Sequence, residues 1–80
     1  MYYVYILQSE KDKSCYAGVT ADLKRRIAEH NNGGSKYTNS KRPYRLIWYG
    51  AFYDKQRAYE FEIYLKSSSG HAFAKKHFLT

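Results

Sequence analysis

The sequence predicts an α+β fold: a three-stranded antiparallel β-sheet flanked by helices, in the order β-β-α-β-α-α. Three observations carry this reading. A strand-loop-strand pattern fills residues 2–20, a nearly continuous apolar run fills 44–52, and the segments after each switch to helical spacing. The 80 residues suffice for one small domain with one modest core, so 1–80 is read as a single domain without repeat, linker or second unit.

The first strand is Tyr2-Tyr3-Val4-Tyr5-Ile6-Leu7 and the second Cys15-Tyr16-Ala17-Gly18-Val19-Thr20. Between them, residues 9–14 contain no apolar side chain. Alternation places Tyr3, Tyr5 and Leu7 on one face, and Tyr16 with Gly18 on one face of the second strand. A turn centred between Glu10 and Lys11 sets Tyr5 opposite Tyr16. Two phenols then stand beside a glycine that leaves open space, a floor for a polar ligand. The competing reading is plain packing, because tyrosines on a sheet face are commonly half-buried with the hydroxyl at the rim.

Thr20 is the expected cap of a helix over 21–31, with Asp22 in its first turn, where the helix dipole favours an acid. Leu23 and Ile27 form its inward stripe with Ala28 beside it. Arg26 and His30, also four apart, border that stripe, and Lys24 and Arg25 turn to water. Asn31-Asn32-Gly33-Gly34 stops the helix. The polar loop that follows carries Lys36, Lys41 and Arg42, and reads equally as a ligand-contacting loop or a solvated connector. The third strand spans Tyr44 to Phe52. Its nearly unbroken apolar character predicts cover on both faces, and Gly50 marks a bulge or a close approach.

Asp54 caps a second helix over about 55–67, with Ala58, Phe61 and Leu65 facing inward. The remaining place in that stripe belongs to Glu62. An unpaired buried carboxylate is costly, so Glu62 requires an ion-pair partner, a stripe edge that reaches water, or a chemical task. Glu60 is ordinary surface. A short closing helix is expected over 71–78, pinned by Phe73 and Phe78.

Fourteen Lys and Arg stand against seven Asp and Glu, giving a formal charge of +7 and a pI near 9.6. Such a balance favours polyanions, nucleic acid before anionic lipid. Aromatic residues make up 19 % of the chain, interleaved with the basic ones. No apolar run reaches the length of a membrane span or signal segment, and no helix has the pattern of a membrane-surface anchor. A single cysteine, Cys15, excludes an internal disulfide, lies far in sequence from all three histidines, and fits a reducing cytoplasm. No Ser/His/Asp set, P-loop or dinucleotide fingerprint is present.

What stands out is a set of tyrosines, a helix arginine, a helix histidine and an inward glutamate, a combination suited to phosphodiester cleavage. A carboxylate recruits a divalent cation that neutralises charge on the leaving group. An arginine grips a phosphate oxygen. A phenol whose pKa is lowered by a neighbouring cation can take a proton from water.

The chain resembles the GIY-YIG nuclease superfamily, and within it the small stand-alone bacterial proteins labelled excinuclease-subunit-like. Tyr3-Val4-Tyr5 matches the first half-motif and Tyr16-Ala17-Gly18 the second, in the right order and spacing. Thr20 to Asn31 resembles the family's helix motif, with Arg26 at its arginine and His30 at a frequent accessory position. Phe61-Glu62-Ile63-Tyr64-Leu65-Lys66 resembles the segment holding its metal-binding glutamate. Tyr3 replaces the first glycine, Ala17 replaces the isoleucine, and the family's late asparagine has no clear counterpart. The resemblance implies one Mg²⁺ or Mn²⁺ ion on Glu62, Arg26 at the scissile phosphate, Tyr5 as general base directly or through water, and Tyr16 orienting the phosphate or nucleophile. His30 joins this catalytic set. DNA is the implied partner, with Lys24, Arg25, Lys36, Lys41 and Arg42 as contacts and no small-molecule cofactor. Two other functions stay open: a nucleic-acid-binding module with a degenerate nuclease site, because this subgroup lacks an added DNA-binding domain, and a protein-interaction domain whose tyrosines only pack.

Overall fold

The computed structural model describes residues 1–32 and 41–67. The elements are β1 (Tyr2–Ser9), β2 (Cys15–Thr20), α1 (Leu23–Asn31), β3 (Tyr44–Phe52) and α2 (Lys55–Lys66). The strands form one antiparallel sheet in the order β2-β1-β3. This is the predicted α+β architecture. The expected closing helix over 71–78 lies outside the described residues.

The central place of β1 explains its burial. Both edges of β1 are hydrogen-bonded to neighbours and both faces are covered, so Val4, Tyr5, Ile6 and Leu7 are all buried. Val4 and Ile6 pack with Ala58 and Leu65 of α2, while Tyr5 and Leu7 pack with Tyr44, Leu23 and Ile27 on the α1 side. At roughly 1.5–3 kcal/mol per large apolar side chain removed from water, these two clusters dominate the stability.

The third strand departs from expectation. Its bounds are as predicted, but it is an edge strand, and Arg45, Tyr49 and Ala51 are exposed. An apolar run reads alike whether the strand is central or lies at an edge with one face partly open. The bulge falls between the Ile6–Trp48 and Leu7–Leu46 pairs, making Ile47 the extra residue rather than Gly50. Gly50 serves a close approach instead: a Cβ there would come within 2.9 Å of the Trp48 ring.

The hairpin register also differs. Tyr5 stands opposite Gly18, and Tyr16 opposite Leu7. The turn is therefore centred one residue later than expected. Ser9 explains the shift, because its buried hydroxyl accepts from the Lys11 and Asp12 amides at 3.1 and 3.2 Å. The Ser9 amide also donates to the Ser14 carbonyl at 2.8 Å, closing the loop at that length.

Helix α1 begins later than predicted. Thr20 stays in the β ladder opposite Tyr3, so Asp22 becomes the N-cap and accepts from the Arg25 amide at 3.1 Å. Thr20 Oγ1 braces the cap by accepting from the Asp22 amide. Helix α2 starts after Asp54 as expected, with Asp54 accepting from the Gln56 amide at 2.9 Å.

Candidate active site

Four elements converge on the Tyr5 phenol. Strand alternation directs Tyr5 and Tyr16 to the α1 face, and their ring centroids lie 6.5 Å apart as diagonal neighbours. The space over Gly18 is not open, as the sequence implied, but filled by the Tyr5 ring. A Cβ at position 18 would lie 2.6 Å from Tyr5 Cζ. Glycine is needed here for the close approach, since any larger side chain would displace the phenol.

Helix α1 supplies His30, which is more central than its expected place beside the stripe. It is the buried residue of the helix, with 0 % exposure, whereas Ala28 points to solvent. The inward line runs through Leu23, Ile27 and His30, and the surrounding tyrosines make that polar burial tolerable. His30 Nε2 lies 3.1 Å from the Tyr5 hydroxyl, and its ring packs 5.0 Å from Tyr16 and 6.1 Å from Tyr44. Burial, assisted by the nearby Arg26 charge, lowers the His30 pKa below its ordinary value. A neutral imidazole with its own proton on Nδ1 can accept the Tyr5 hydroxyl proton in this hydrogen bond.

One turn earlier, Arg26 is half-buried and paired with Glu29 at 3.6 Å. Its guanidinium faces the Tyr5 hydroxyl, and that partnership raises the arginine pKa. The phenol does not follow the expected downward shift. Burial raises the Tyr5 pKa, and it outweighs the lowering by Arg26, while Tyr16 and Glu62 add to the rise. At neutral pH, Tyr5 is a phenol, 1 % exposed.

Glu62 approaches from α2. Its side chain is 17 % exposed and pairs with Lys66 Nζ at 3.6 Å, one turn along the helix. Of the roles open to an inward carboxylate, it thus has an ion-pair partner. That partner belongs to the cluster, because Lys66 Nζ also sits 5.6 Å from the Tyr16 ring centroid. Tyr5, Tyr16, Arg26, His30 and Glu62 therefore share one neighbourhood.

The proposed nucleic-acid contacts fall into three groups. Lys24 and Arg25 are exposed on α1. Lys41 and Arg42 are exposed ahead of β3, with Lys41 Nζ 3.5 Å from Asp12 in the hairpin turn. Lys36 lies outside the described residues. Cys15 is exposed at the start of β2, and partial burial raises its thiol pKa, opposing nucleophilic use.

The family model described as the GIY-YIG catalytic domain matches residues 1–76. The chain belongs to the GIY-YIG family. Among GIY-YIG relatives, a UPF0213 protein of Clostridium perfringens is 46 % identical over 67 residues, covering 82 % of this chain and 71 % of its own length. One from Lacticaseibacillus paracasei is 44 % identical over 71 residues, covering 88 % and 79 %. The solution NMR structure of a UPF0213 protein from Bacillus halodurans superimposes with a TM-score of 0.58 at 39 % identity, covering 95 % of this chain and 84 % of that one. This GIY-YIG chain thus shares its fold with a solved UPF0213 protein.

Three residues near the GIY-YIG cluster were not singled out by sequence reading. Asn31 reads as a helix stop, yet its amide clamps Tyr44. Asn31 Oδ1 accepts from the Tyr44 amide at 2.6 Å, and Nδ2 donates to the Tyr44 carbonyl at 3.2 Å. Tyr44 is thereby held against His30. Lys66 enters the sequence reading only as the last residue of the segment that holds Glu62. Its i, i+4 spacing from Glu62 was the available signal.

Proposed function

We propose that the protein is a metal-dependent endonuclease that hydrolyses DNA phosphodiester bonds, with Tyr5, Tyr16, Arg26, His30 and Glu62 as its working set. The observation that carries this reading is the hydrogen bond between the Tyr5 hydroxyl and neutral His30, set beside the Arg26 guanidinium. Tyr5 with a raised pKa is a weak base alone. Coupled to His30, it can take a proton from water while passing its own to Nε2. Arg26 neutralises a non-bridging phosphate oxygen, and Tyr16 orients the phosphate from the half-buried rim.

Glu62 is the residue that would hold a divalent ion. Among the described residues no group of three His, Cys, Asp or Glu side chains gathers as a cage. One partly buried carboxylate fits a hydrated Mg²⁺ or Mn²⁺ whose other positions go to water and substrate oxygens. Such an ion would supply charge neutralisation at the leaving oxygen. Lys24, Arg25, Lys41 and Arg42 supply exposed positive charge for the DNA backbone. A role in DNA repair or processing, in the cytoplasm, fits this activity. Among the described residues no helix is long and apolar enough to cross a membrane.

A second reading has its own support. Lys66 already neutralises Glu62, and Tyr5 is almost wholly covered. Both favour a module that binds nucleic acid without cutting it. Nicking of supercoiled and branched DNA in Mg²⁺ or Mn²⁺ separates the two. Endonuclease function requires turnover that disappears in Glu62→Ala. Salt-dependent binding with no turnover in either metal, unchanged within a few-fold by Arg26→Ala, assigns the binding module.

A further inference from the structure

Beside the phenol cluster runs a groove of about 540 Å³ between α1 and the open part of β3. Tyr3 and Tyr49 line its sheet side, Leu23 and Ile27 its helix side, and Lys24 and Asp22 its rim. The residues assigned to cleavage do not line it, yet it adjoins them. Tyr49 pairs directly opposite Tyr5, and Ile27 follows Arg26 in the helix.

Two features narrow the occupant. Tyr49 is 52 % exposed, although it sits on the sheet face where its strand neighbours Tyr44 and Leu46 are packed. It stands edge-to-face with Tyr3, ring centroids 6.2 Å apart at 61°, so the pair forms an aromatic corner rather than a flat surface. The apolar helix wall is within reach of the same occupant. Charge at the rim is mixed: Asp22 and Lys24 are both exposed, and since Asp22 turns an oxygen to the Arg25 amide as the cap of α1, Lys24 is the rim group able to meet an anion. A flat, mostly apolar ring attached to an anionic backbone fits this combination, and the volume is that of a small-ligand pocket.

We propose that this groove holds one unpaired nucleobase of the bound strand, stacked on Tyr49 while Lys24 neutralises the adjoining phosphate. The proposal rests on the nucleic-acid reading above and narrows it to a substrate class. A base inside a duplex hides both faces in the stack. The groove therefore selects single-stranded, flapped or branched DNA, in which a base next to the cleaved phosphate can splay out.

The test uses the full chain with EDTA present to prevent cutting. The probes are a single-stranded oligonucleotide carrying 2-aminopurine and the same sequence as a duplex. Wild type and Tyr49→Phe are expected to bind the single strand and shift the 2-aminopurine fluorescence through stacking. Tyr49→Ala is expected to lose that shift and bind the single strand roughly tenfold more weakly, with duplex binding held within twofold. Lys24→Ala is expected to weaken binding while keeping the fluorescence shift. Unchanged single-strand affinity in Tyr49→Ala, or equal weakening toward both probes, overturns the stacking site and leaves the groove to another occupant such as a peptide. Failure of the wild type to bind either probe overturns the nucleic-acid reading itself, a different result from loss of discrimination.

Discussion

The two faces of the sheet are built from different materials. On the α2 face the buried side chains are Val4, Ile6, Ala58 and Leu65, ringed by Trp48, Phe52 and Phe61. On the α1 face they are Tyr5, Leu7, Ser9, Tyr44 and His30, and the polar groups of Tyr5, Ser9 and His30 are hydrogen-bonded. No buried side-chain nitrogen or oxygen among the described residues lacks a hydrogen bond. An apolar face needs only shape and volume to be stable. A face that buries hydroxyls and an imidazole needs each donor aimed at an acceptor, because an orphan costs about 1–3 kcal/mol. The α2 face thus supplies stability, and the α1 face uses part of it to hold the polar cluster around Tyr5 and His30 in place. Glu62 and Lys66 belong to the helix of the first face but lie close to Tyr16 of the second, and they test the division most severely.

Glu62→Ala should have the largest effect. Plasmid nicking should fall by about 10³-fold, the order expected when a group that stabilises developing charge is removed. Thermal unfolding should change by less than about 1 kcal/mol, since the deleted ion pair is partly exposed and single. Equal nicking by wild type and variant would break the division, because the carboxylate would then be only a helix side chain. Leu65→Ala asks the opposite question. It should cost about 2–5 kcal/mol in a urea titration while leaving nicking per folded molecule intact. A large loss of activity in the folded variant would mean that the apolar face also positions the chemistry.

The difference between the faces also decided what was legible in the sequence. Alternating and helical spacing identified all five described elements, and the Ala58–Phe61–Leu65 stripe faces inward as read. Apolar periodicity reports on burial, and burial is what the α2 face consists of. The α1 face is polar, so its details were lost. Spacing could not tell that His30, rather than Ala28, completes the inward line of α1. That outcome depends on the Tyr5 hydroxyl of β1 and on the Tyr44 ring of β3, both distant in sequence from the imidazole. The hairpin register was missed because Ser9, a strand-end residue by composition, organises the turn with a buried hydroxyl. Cover over β3 was overestimated because its composition carries no mark of an edge. Arg26 and Glu62 were legible from helix spacing as polar groups beside apolar stripes, whereas Tyr5 and Tyr16 were legible mainly as family motifs. The upward shift of the Tyr5 pKa was not, because desolvation depends on the three-dimensional enclosure that Gly18 and His30 complete.

Gly18→Ala should sharpen the comparison with a smaller effect. The added methyl would collide with the Tyr5 ring, and overpacking of this kind costs about 1–3 kcal/mol. The phenol must shift away from β2, so the Tyr5–His30 hydrogen bond should lengthen. Chemical shifts of the His30 ring protons should move in Gly18→Ala and stay fixed in Leu65→Ala, which strains the other face. Wild-type stability and unmoved His30 signals in Gly18→Ala would mean that the α1 face can yield without cost, contrary to its close packing.

The smallest expected effect is a pH dependence of stability assigned to His30. Its folded pKa lies below the ordinary value of 6.5 because burial and Arg26 disfavour the charged ring, and Glu29 only partly offsets them. The unfolded chain therefore binds the proton more readily than the folded one. The contribution is fully present above pH 6.5 and is lost as pH falls through the depressed folded value. Stability measured by urea titration should decline over that acidic window, and His30→Asn should flatten the decline relative to wild type. If wild type instead gains stability as pH falls through this range, and His30→Asn removes the gain, the imidazole is charged in the fold. It could not then accept the Tyr5 proton, and the α1 face would hold a cation where proton transfer needs a base.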